Sequence, residues 1–381
     1  MIDKKIKDCT GCNACFSICP KQCISMKIDG EGFRYPEVNY DLCIQCGLCI
    51  KICPILNQKK VNNKPIAYAC INKEEKIRVE SSSGGIFSLL ADYVFDYSGV
   101  VVGAIFNSEF FVIHECIEDR NDLSKLRGSK YLQSDIKDVL IKTKKFLDQN
   151  RLVLFSGTPC QIGGLKSFLE KEYENLICID IVCHGVPSPK VWGKYLEFRK
   201  TKANSDIERI SFRTKNLGWK RYSVLFQFKN NTEYLKPLTE DLYMQAFLRD
   251  VCLRPSCYDC KFKTLNRESD ITLADFWGIQ NLLPNFDDDK GTSLIFVNSE
   301  MGMKLFEKIK NKVKFQEVNI KEAVVYNSAA IKSVECNKSR EEFFQKLDII
   351  SFDVLVKKYC KENIIFKVIK KIKTKLKRRL L

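Results

Sequence analysis

The chain has 381 residues, of which 45% are hydrophobic, so it can bury a sizeable core and more than one domain is expected. Its 19 cysteines are an odd number, which excludes a complete disulfide framework and favours metal ligation under reducing conditions. The formal net charge is +16, but nine Lys/Arg against one Glu in residues 361–381 supply half of it, which argues against a protein-wide nucleic-acid surface.

The N-terminus predicts the compartment. The segment "MIDKKIKDCT" lacks the apolar region of a signal peptide, and no run of about 18 or more apolar residues occurs in the chain. We therefore expect a cytoplasmic protein with no nucleic-acid partner, and any contact with a membrane should be peripheral.

An internal repeat dominates the first 60 residues. The segment "CTGCNACFSICP" returns 34 residues later as "CIQCGLCIKICP", and both copies end in Cys-Pro. In this pattern three closely spaced thiolates bind one 4Fe-4S cluster and the fourth binds the other cluster. One predicted ligand set is Cys9, Cys12, Cys15 and Cys53; the other is Cys43, Cys46, Cys49 and Cys19.

Zinc knuckles are the alternative for such cysteine pairs, but zinc needs four thiolates and does not explain a duplicated pattern of eight. Between the halves, residues 23–40 predict a β-hairpin, and Cys23 is expected to be a small packed residue. Residues 1–60 carry nine Lys/Arg and six Asp/Glu, which favours a fused module over a free acidic carrier.

After a polar linker at residues 56–65, "IAYACIN" predicts a strand and "SSSGGIFSLLADYVFDY" a helix with Ser83 near its N-cap. Glycines at a helix start let a ligand approach the backbone amides. The segments "VVVGAIF" and "FFVIHECI" predict a hairpin, with His114 and Cys116 expected to be packed. Lys130 lies on a Gly-Ser turn, where most lysines are solvated.

The next unit predicts parallel strands of an α/β core. Strand "LVLFSG", turn "TPCQIGG", a helix from residue 165 to 173 and strand "LICIDIVC" place Cys160 and Cys183 at the carboxyl ends of strands, where ligands bind in open α/β sheets. Cys178, inside a strand, is expected to be packed. Two β-like segments, "IERISFR" and "YSVLFQF", and a helix from about residue 240 follow, then "CLRPSCYDC" and the strand-like "SDITLADFWG".

Ordered motifs across residues 65–300 resemble the family of coenzyme F420 hydrogenase/dehydrogenase beta subunits. They are Ser83-Gly84-Gly85, "GSKY", "GTPCQ", "VCHGVPSP", "PSCYDC" and "DFWG". The resemblance implies a further 4Fe-4S cluster held by Cys160, Cys183, Cys257 and Cys260, with Cys252 a buried neighbour. It also implies FAD near Ser83, Gly84, Gly85 and Lys130, where a lysine would stabilise the reduced ring.

The fold predicted from these features is a mixed α/β or α+β chain, with a two-cluster ferredoxin-like domain preceding a larger mixed-sheet flavin and iron–sulfur domain. The predicted segments are a ferredoxin domain at 1–60, a flavin-associated region at 61–148, an α/β region with the third cluster at 149–330, a helical extension at 331–360 and a basic tail at 361–381.

Three function classes follow. The first is an oxidoreductase that passes electrons between ferredoxin-type carriers and an organic substrate or deazaflavin-like coenzyme, with His184 a candidate for proton transfer or for orienting the cluster loop. The second is an electron-transfer subunit that needs a partner redox subunit. The third is a structural iron–sulfur protein without flavin. Some relatives occur with surface-polysaccharide enzymes, which is association only.

The tail predicts a basic amphipathic helix, with its apolar residues on one stripe and lysines on the rest. Such a helix suits either the anionic inner face of a membrane or packing on the body of the protein. Its stripe consists of Ile364, Ile365, Val368, Ile369, Ile372 and Leu376.

Overall fold

The computed structural model describes residues 8–360. The predicted basic tail at 361–381 therefore lies outside the described residues. In the part of the chain that is described, no helix combines the length and the apolar character needed to cross a bilayer.

The strands are β1 (Ile24–Ile28), β2 (Arg34–Val38), β3 (Ile66–Asn72), β4 (Val100–Phe106), β5 (Val112–Ile117), β6 (Val153–Gly157), β7 (Leu176–Ile181), β8 (Ile207–Thr214), β9 (Ser223–Phe228), β10 (Glu233–Pro237), β11 (Ile271–Asp275), β12 (Ser293–Val297) and β13 (Val313–Val318). The helices are α1 (Ala14–Ile18), α2 (Leu48–Lys51), α3 (Glu75–Glu80), α4 (Ile86–Asp96), α5 (Leu123–Leu126), α6 (Val139–Asp148), α7 (Pro159–Leu169), α8 (Pro189–Ala203), α9 (Leu242–Leu248), α10 (Ile279–Leu282), α11 (Glu300–Ile309), α12 (Ile320–Ala323), α13 (Arg340–Lys346) and α14 (Phe352–Tyr359).

The N-terminal module repeats in its backbone as well as in its cysteines. Helices α1 and α2 each follow a residue in the left-handed region, Asn13 at φ 61° and Gly47 at φ 74°, which occupy equivalent positions of the two copies. Strands β1 and β2 form the predicted antiparallel hairpin, with Met26 opposite Pro36. This module uses two short helices and one hairpin to hold eight cysteines in close-set loops.

The body is built on one eight-stranded mixed sheet, in the order β13-β3-β12-β11-β7-β6-β4-β5. Strands β4, β6, β7 and β11 are parallel neighbours, and β12 runs antiparallel between β11 and β3. The carboxyl ends of β3, β4, β6, β7 and β11 therefore share one side of the sheet, which we call the carboxyl edge. The sheet takes strands from both sides of the predicted boundary at residue 148.

Helices cover both faces of this sheet. On one face α4 and α11 pack through residues such as Leu90, Val94 and Phe306. On the other, α6 and α7 pack through Leu140 and Leu165 together with Ala14 and Ile52 of the N-terminal module. The module thus shares a hydrophobic core with the body, and the two are joined by packing as well as by the linker.

A second, smaller sheet has the order β10-β9-β8. It packs with α8, α9 and α14 around a cluster of buried aromatic rings that includes Trp192, Tyr195, Phe226 and Tyr243. The sequence predicted β8 and β9 but not β10, whose residues are mostly exposed and lack a clear alternation.

The structure fixes the starts of α4 and α7. The N-cap of α4 is Gly85, two residues after Ser83, because a glycine adopts the required φ of 82° without strain. Helix α7 begins at Pro159, so the predicted turn is helical. Its two internal glycines fit because Phe262 packs against Gly163 and Cys12 against Gly164, which leaves no space for a β-carbon.

Candidate metal centres

The structure groups one predicted ligand set around a small cavity at the end of the N-terminal module. We call this group the outer site, and its thiols are those of Cys19, Cys43, Cys46 and Cys49. Cys19 comes from the first copy of the repeat and the others from the second, which is the crossed arrangement predicted from the sequence. The Cys46 residue is exposed to solvent.

A fifth cysteine lies in the same cavity. Cys23 is buried, and its Sγ is 3.3 Å from the Sγ of Cys19. The sequence carries no signal for this contact, because Cys23 is outside the repeated spacing. It is packed, as predicted, but its sulfur contacts a predicted ligand.

The second predicted set lies on the side of the module that faces the body. We call Cys9, Cys12, Cys15 and Cys53 the inner site. Burial, with smaller contributions from Cys9 and Cys53, raises the pKa of the Cys12 thiol to about 12. Burial also raises the pKa of Cys15 and of Cys53, and nearby members of the same group add to both shifts. Such thiols stay protonated unless a metal displaces the protons.

The structure also brings together the four body cysteines singled out by the family resemblance. Cys160, Cys183, Cys257 and Cys260 line one small cavity, which we call the body site. Cys160 lies in the first turn of α7, and Cys183 follows the end of β7 by two residues. Both therefore stand at the carboxyl edge. The Cys257 and Cys260 pair reaches the same cavity from the segment before β11.

The chemistry of the body site fits thiolate ligation of a cluster. Burial raises the pKa of Cys160 and Cys183, and raises that of Cys257 to about 12. The Sγ of Cys160 is 3.1 Å from Thr158 Oγ1, and the backbone amide of Val186 donates to Cys257 Sγ at 3.5 Å. These contacts are of the kind that tune an iron–sulfur cluster.

Within residues 8–360 no three His, Cys, Asp or Glu side chains converge as a single metal ion requires. In a 4Fe-4S cluster each thiolate binds a different iron, so the four sulfurs surround a volume rather than a point. The four thiols of the outer site, and likewise those of the body site, are spread around a small cavity, which fits this arrangement better than the single point that zinc requires.

The inner and body sites are neighbours. Thr10, between two inner-site cysteines, lies in the wall of the body cavity. A β-carbon on Gly164 of α7 would stand 2.7 Å from Cys12 Cβ and 2.9 Å from Cys12 Sγ. Because Cys160 lies one turn earlier on the same helix, α7 contacts both thiol groups.

His184 also lines the body cavity. Its Nε2 is 2.7 Å from Asp250 Oδ1, and its ring packs edge-on against Phe247 with centroids 5.1 Å apart. These contacts fix the orientation of the ring. The geometry favours a role in holding the loop that follows Cys183, and proton transfer by His184 stays a prediction.

The two segments predicted to lie near a flavin do meet in the structure. Ser82 Oγ accepts hydrogen bonds from Ser129 N at 2.7 Å and from Ser129 Oγ at 3.0 Å. Ser83 Oγ donates to Thr292 O at 3.0 Å, and Gly84 N donates to Ser293 Oγ at 2.9 Å. Ser83, Gly84 and Gly85 therefore sit at the carboxyl edge beside the turn that carries Lys130.

Lys130 has no carboxylate within ion-pair distance in the described chain. Its ammonium donates to the carbonyls of Leu126, Arg127 and Gly128 at 3.1 to 3.4 Å, at the C-terminal end of α5. Burial lowers the pKa of Lys130 to about 7. The predicted position of Lys130 near a flavin is untested, but the structure gives the side chain a capping role that the sequence did not indicate.

Two buried arginines at these sites were missed by the sequence analysis. Arg213 in β8 donates to Asp275 Oδ2 at 2.6 Å and to Tyr131 Oη at 3.2 Å, which links the small sheet to the end of β11 and to the turn after Lys130. Arg254 is fully buried in the wall of the body cavity. Both lie in segments that the sequence analysis quoted, "IERISFR" and "CLRPSCYDC", but their partners are distant in the chain, so only the tertiary structure shows their surroundings.

Two parts of the chain match models of known protein families. Residues 8–56 match the model of a 4Fe-4S dicluster domain, and residues 150–323 match the model described as the C terminus of the coenzyme F420 hydrogenase/dehydrogenase beta subunit. The F subunit of the F(420)H(2) dehydrogenase from Methanosarcina mazei is 21% identical over 325 residues, which are 81% of this chain and 84% of the relative.

Two further similarities concern parts of the molecule. The I subunit of the NADH-quinone oxidoreductase from Pelobacter propionicus is 34% identical over 61 residues, covering 14% of this chain and 32% of that protein. A chain of the F420-reducing NiFe hydrogenase complex from Methanosarcina barkeri covers 70% of this chain and 91% of its own length, at 14% identity and a TM-score of 0.45. By these two matches, the chain carries an N-terminal 4Fe-4S dicluster domain and, at residues 150–323, a domain that matches the C terminus of the coenzyme F420 hydrogenase/dehydrogenase beta subunit.

Proposed function

We propose that this chain is an iron–sulfur flavoprotein that passes electrons between a ferredoxin-type carrier and an organic substrate or deazaflavin-like coenzyme. The observation that carries the proposal is the body site, where four thiols from three separate segments line one cavity. Thr10 of the inner site stands in the wall of that cavity, so the proposed third cluster would adjoin the dicluster domain.

In this proposal the protein holds the clusters and sets the distance between them. The inner, outer and body thiols would each hold a 4Fe-4S cluster, which exchanges single electrons, while FAD exchanges two with an organic substrate. Helix α7 fixes the separation of the inner and body sites, because it contacts Cys12 through Gly164 and carries Cys160.

Exposure supports the outer site as the point where an external carrier meets the chain. The loop around its second-copy cysteines presents apolar side chains to solvent, with Tyr40 at 58%, Leu42 at 55% and Ile44 at 57% exposure. Exposed apolar groups of this kind mark protein contacts. The inner site is packed against α7 instead, so a partner reaches the outer site more directly.

The proposed FAD position rests on the carboxyl edge. Ser83, Gly84 and Gly85 precede α4 at this edge, and the turn that carries Lys130 is joined to them through the Ser129–Ser82 hydrogen bonds. The Lys130 ammonium has no acidic partner in residues 8–360. The ends of parallel strands are where open α/β sheets bind ligands, and a positive charge near a flavin stabilises its reduced, anionic form.

The second candidate function is a non-catalytic electron-transfer subunit of a larger dehydrogenase or hydrogenase complex. It is favoured by the similarity to the F subunit of the F(420)H(2) dehydrogenase over 84% of that protein's length. The two functions differ in turnover, since a subunit without its own substrate accepts electrons from a reduced ferredoxin but does not turn over alone.

Anaerobic purification of the full chain, with iron and flavin quantified, tests the proposal. We expect about twelve iron per chain, by four iron in each of three four-cysteine sites, and about one FAD. A preparation with eight iron and no flavin, after reconstitution with iron, sulfide and FAD, would contradict it. Steady-state assays with reduced ferredoxin and candidate acceptors then separate the catalytic chain from the electron-transfer subunit.

A further inference from the structure

Arg254 joins the inner site to the body site. Its Nε donates to the backbone oxygen of Cys9 at 2.7 Å, and its Nη2 donates to that of Arg34 at 2.9 Å. Its Nη1 donates to Gln133 Oε1 at 3.0 Å. The same side chain is in the wall of the body cavity. One guanidinium therefore contacts the loop that holds the first inner-site cysteine and faces the proposed third cluster.

The packing around this guanidinium is tight. Gly11, at φ +71°, would place a β-carbon only 3.1 Å from Arg254 Nη1 and 2.8 Å from Gln133 Nε2. The ring of Tyr35 lies 4.2 Å from the guanidinium carbon. With 0% of the residue exposed, water does not solvate the charge.

No carboxylate lies within ion-pair distance of Arg254 among residues 8–360, and all three of its hydrogen-bond acceptors are neutral. Two other buried arginines near the carboxyl edge differ in this respect, because Arg213 pairs with Asp275 at 2.6 Å and Arg267 with Asp180 at 3.2 Å. A buried cation without an anionic partner is unfavourable, so the surroundings of Arg254 call for negative charge.

We propose that Arg254 is the shared counter-charge of the inner and body clusters. A 4Fe-4S core with four thiolates is an anion, and each electron that it accepts adds one negative charge. A positive charge in a poorly solvated position favours the reduced form, so Arg254 raises the reduction potentials of both clusters. The part that concerns the body cluster rests on the function proposed above, whereas the part that concerns the inner cluster rests on the dicluster domain.

Arg254 is a positioning residue in this view, since it contacts the cluster loops and not a substrate. If Arg254 had only a structural role, its hydrogen bonds to Cys9, Gln133 and Arg34 would matter and its charge would not. A neutral donor such as glutamine could then partly replace it. The two roles differ in the reduction potentials, because only the charge of the guanidinium affects them over a distance.

The test is a redox titration of the anaerobically reconstituted full chain, followed by electron paramagnetic resonance. In Arg254→Gln the midpoint potentials of two clusters should shift to more negative values, while that of the outer site stays unchanged. The matched control is Arg120→Gln. The Arg120 guanidinium is exposed and paired with the Asp96 carboxylate at the end of α4, so this variant removes one positive charge and should move neither the inner nor the body potential.

A second variant keeps the proposal testable if Arg254→Gln does not fold. Gln133→Glu leaves the guanidinium in place and gives its Nη1 a carboxylate partner, so both potentials should again become more negative. The proposal would be overturned if the inner and body potentials stayed unchanged in Gln133→Glu. It would also be overturned if either variant shifted the potentials of all three sites equally. If the chain binds only eight iron, the proposal of a third cluster fails. A potential shift confined to the inner cluster would then still support Arg254 as the counter-charge of that cluster.

Discussion

The N-terminal module and the body hold cysteines in opposite ways. In the module, eight predicted ligands lie within residues 9–53, and short loops beside α1 and α2 aim them into two groups. In the body, Cys160, Cys183 and the Cys257–Cys260 pair come from three segments and meet only because β6 and β7 are parallel and end at one edge. The sites of the module depend on the spacing of cysteines along the chain, whereas the body site depends on the order and direction of strands in the sheet.

The two regions also differ in exposure. The outer site of the module lies beside exposed apolar side chains, and its Cys46 is exposed, whereas all four cysteines of the body site are partly buried. The outer site is therefore the more accessible of the two to another protein. The inner site, packed on α7, connects the two environments.

The largest expected effect separates true body ligands from neighbours. Cys257→Ser should lose about four of twelve iron per chain, because it removes one thiolate from the body site. Cys252→Ser should keep all the iron, since Cys252 is fully buried within a hydrophobic cluster and does not line the cavity. Iron analysis of both anaerobically purified variants checks this, and loss of iron in Cys252→Ser alone would show that the assignment is wrong.

The contact between the module and the body gives the next prediction. It is tested by whether Gly164→Ala raises or lowers the free energy of unfolding. In a helix interior, Gly→Ala normally stabilises by about 1 kcal/mol. Gly164→Ala should instead destabilise by about 1–3 kcal/mol, because the new β-carbon would stand 2.7 Å from Cys12 Cβ and force the inner loop to move.

The control for Gly164→Ala is Gly30→Ala, where a β-carbon would meet nothing within 4 Å. Denaturant unfolding under anaerobic conditions measures both variants, and we expect Gly30→Ala to stay within about 0.5 kcal/mol of the parent chain. A stabilised Gly164→Ala would mean that the module can separate from α7 without cost.

The smallest expected effect is a loss of stability as the pH falls. It should arise in the body, since both histidines of the chain, His114 and His184, lie there. His114 is buried, with Nε2 3.0 Å from Ser156 O and Nδ1 2.8 Å from Ser134 Oγ. Burial lowers its pKa from 6.5 to about 4, and the positive charge of Lys130 acts in the same direction. The folded state therefore favours neutral His114.

Because its folded pKa lies below the unfolded one, the contribution of His114 to stability is complete above about pH 6.5 and falls as the pH drops towards about 4. By about pH 5.5 the loss should reach about 1.4 kcal/mol. Thermal unfolding of the parent chain and His114→Gln from about pH 7.5 to about pH 5.5 measures this. Parallel curves for the two proteins would contradict the role assigned to His114.

Several elements could be predicted from the sequence because their signals are local. The β1–β2 hairpin, the β4–β5 hairpin and the parallel β6–β7 pair are all present in the structure, and cysteines from both copies of the repeat line the cavity of the outer site. The start of α7 was missed, because Gly163 and Gly164 resemble a turn unless Phe262 and Cys12 are known to pack against them.

The sequence by itself determined that this protein binds clusters in its first 60 residues and that its body resembles one family, because fixed short spacings leave thiolates few other arrangements. Only the tertiary structure decided that Cys160, Cys183, Cys257 and Cys260 share a cavity, that Gly164 packs against the inner site, and that Arg254 is buried between two sites with no carboxylate of residues 8–360 within ion-pair distance. These facts depend on which strands end at the same edge and on which charges are shielded from water. No local pattern of residues records either property.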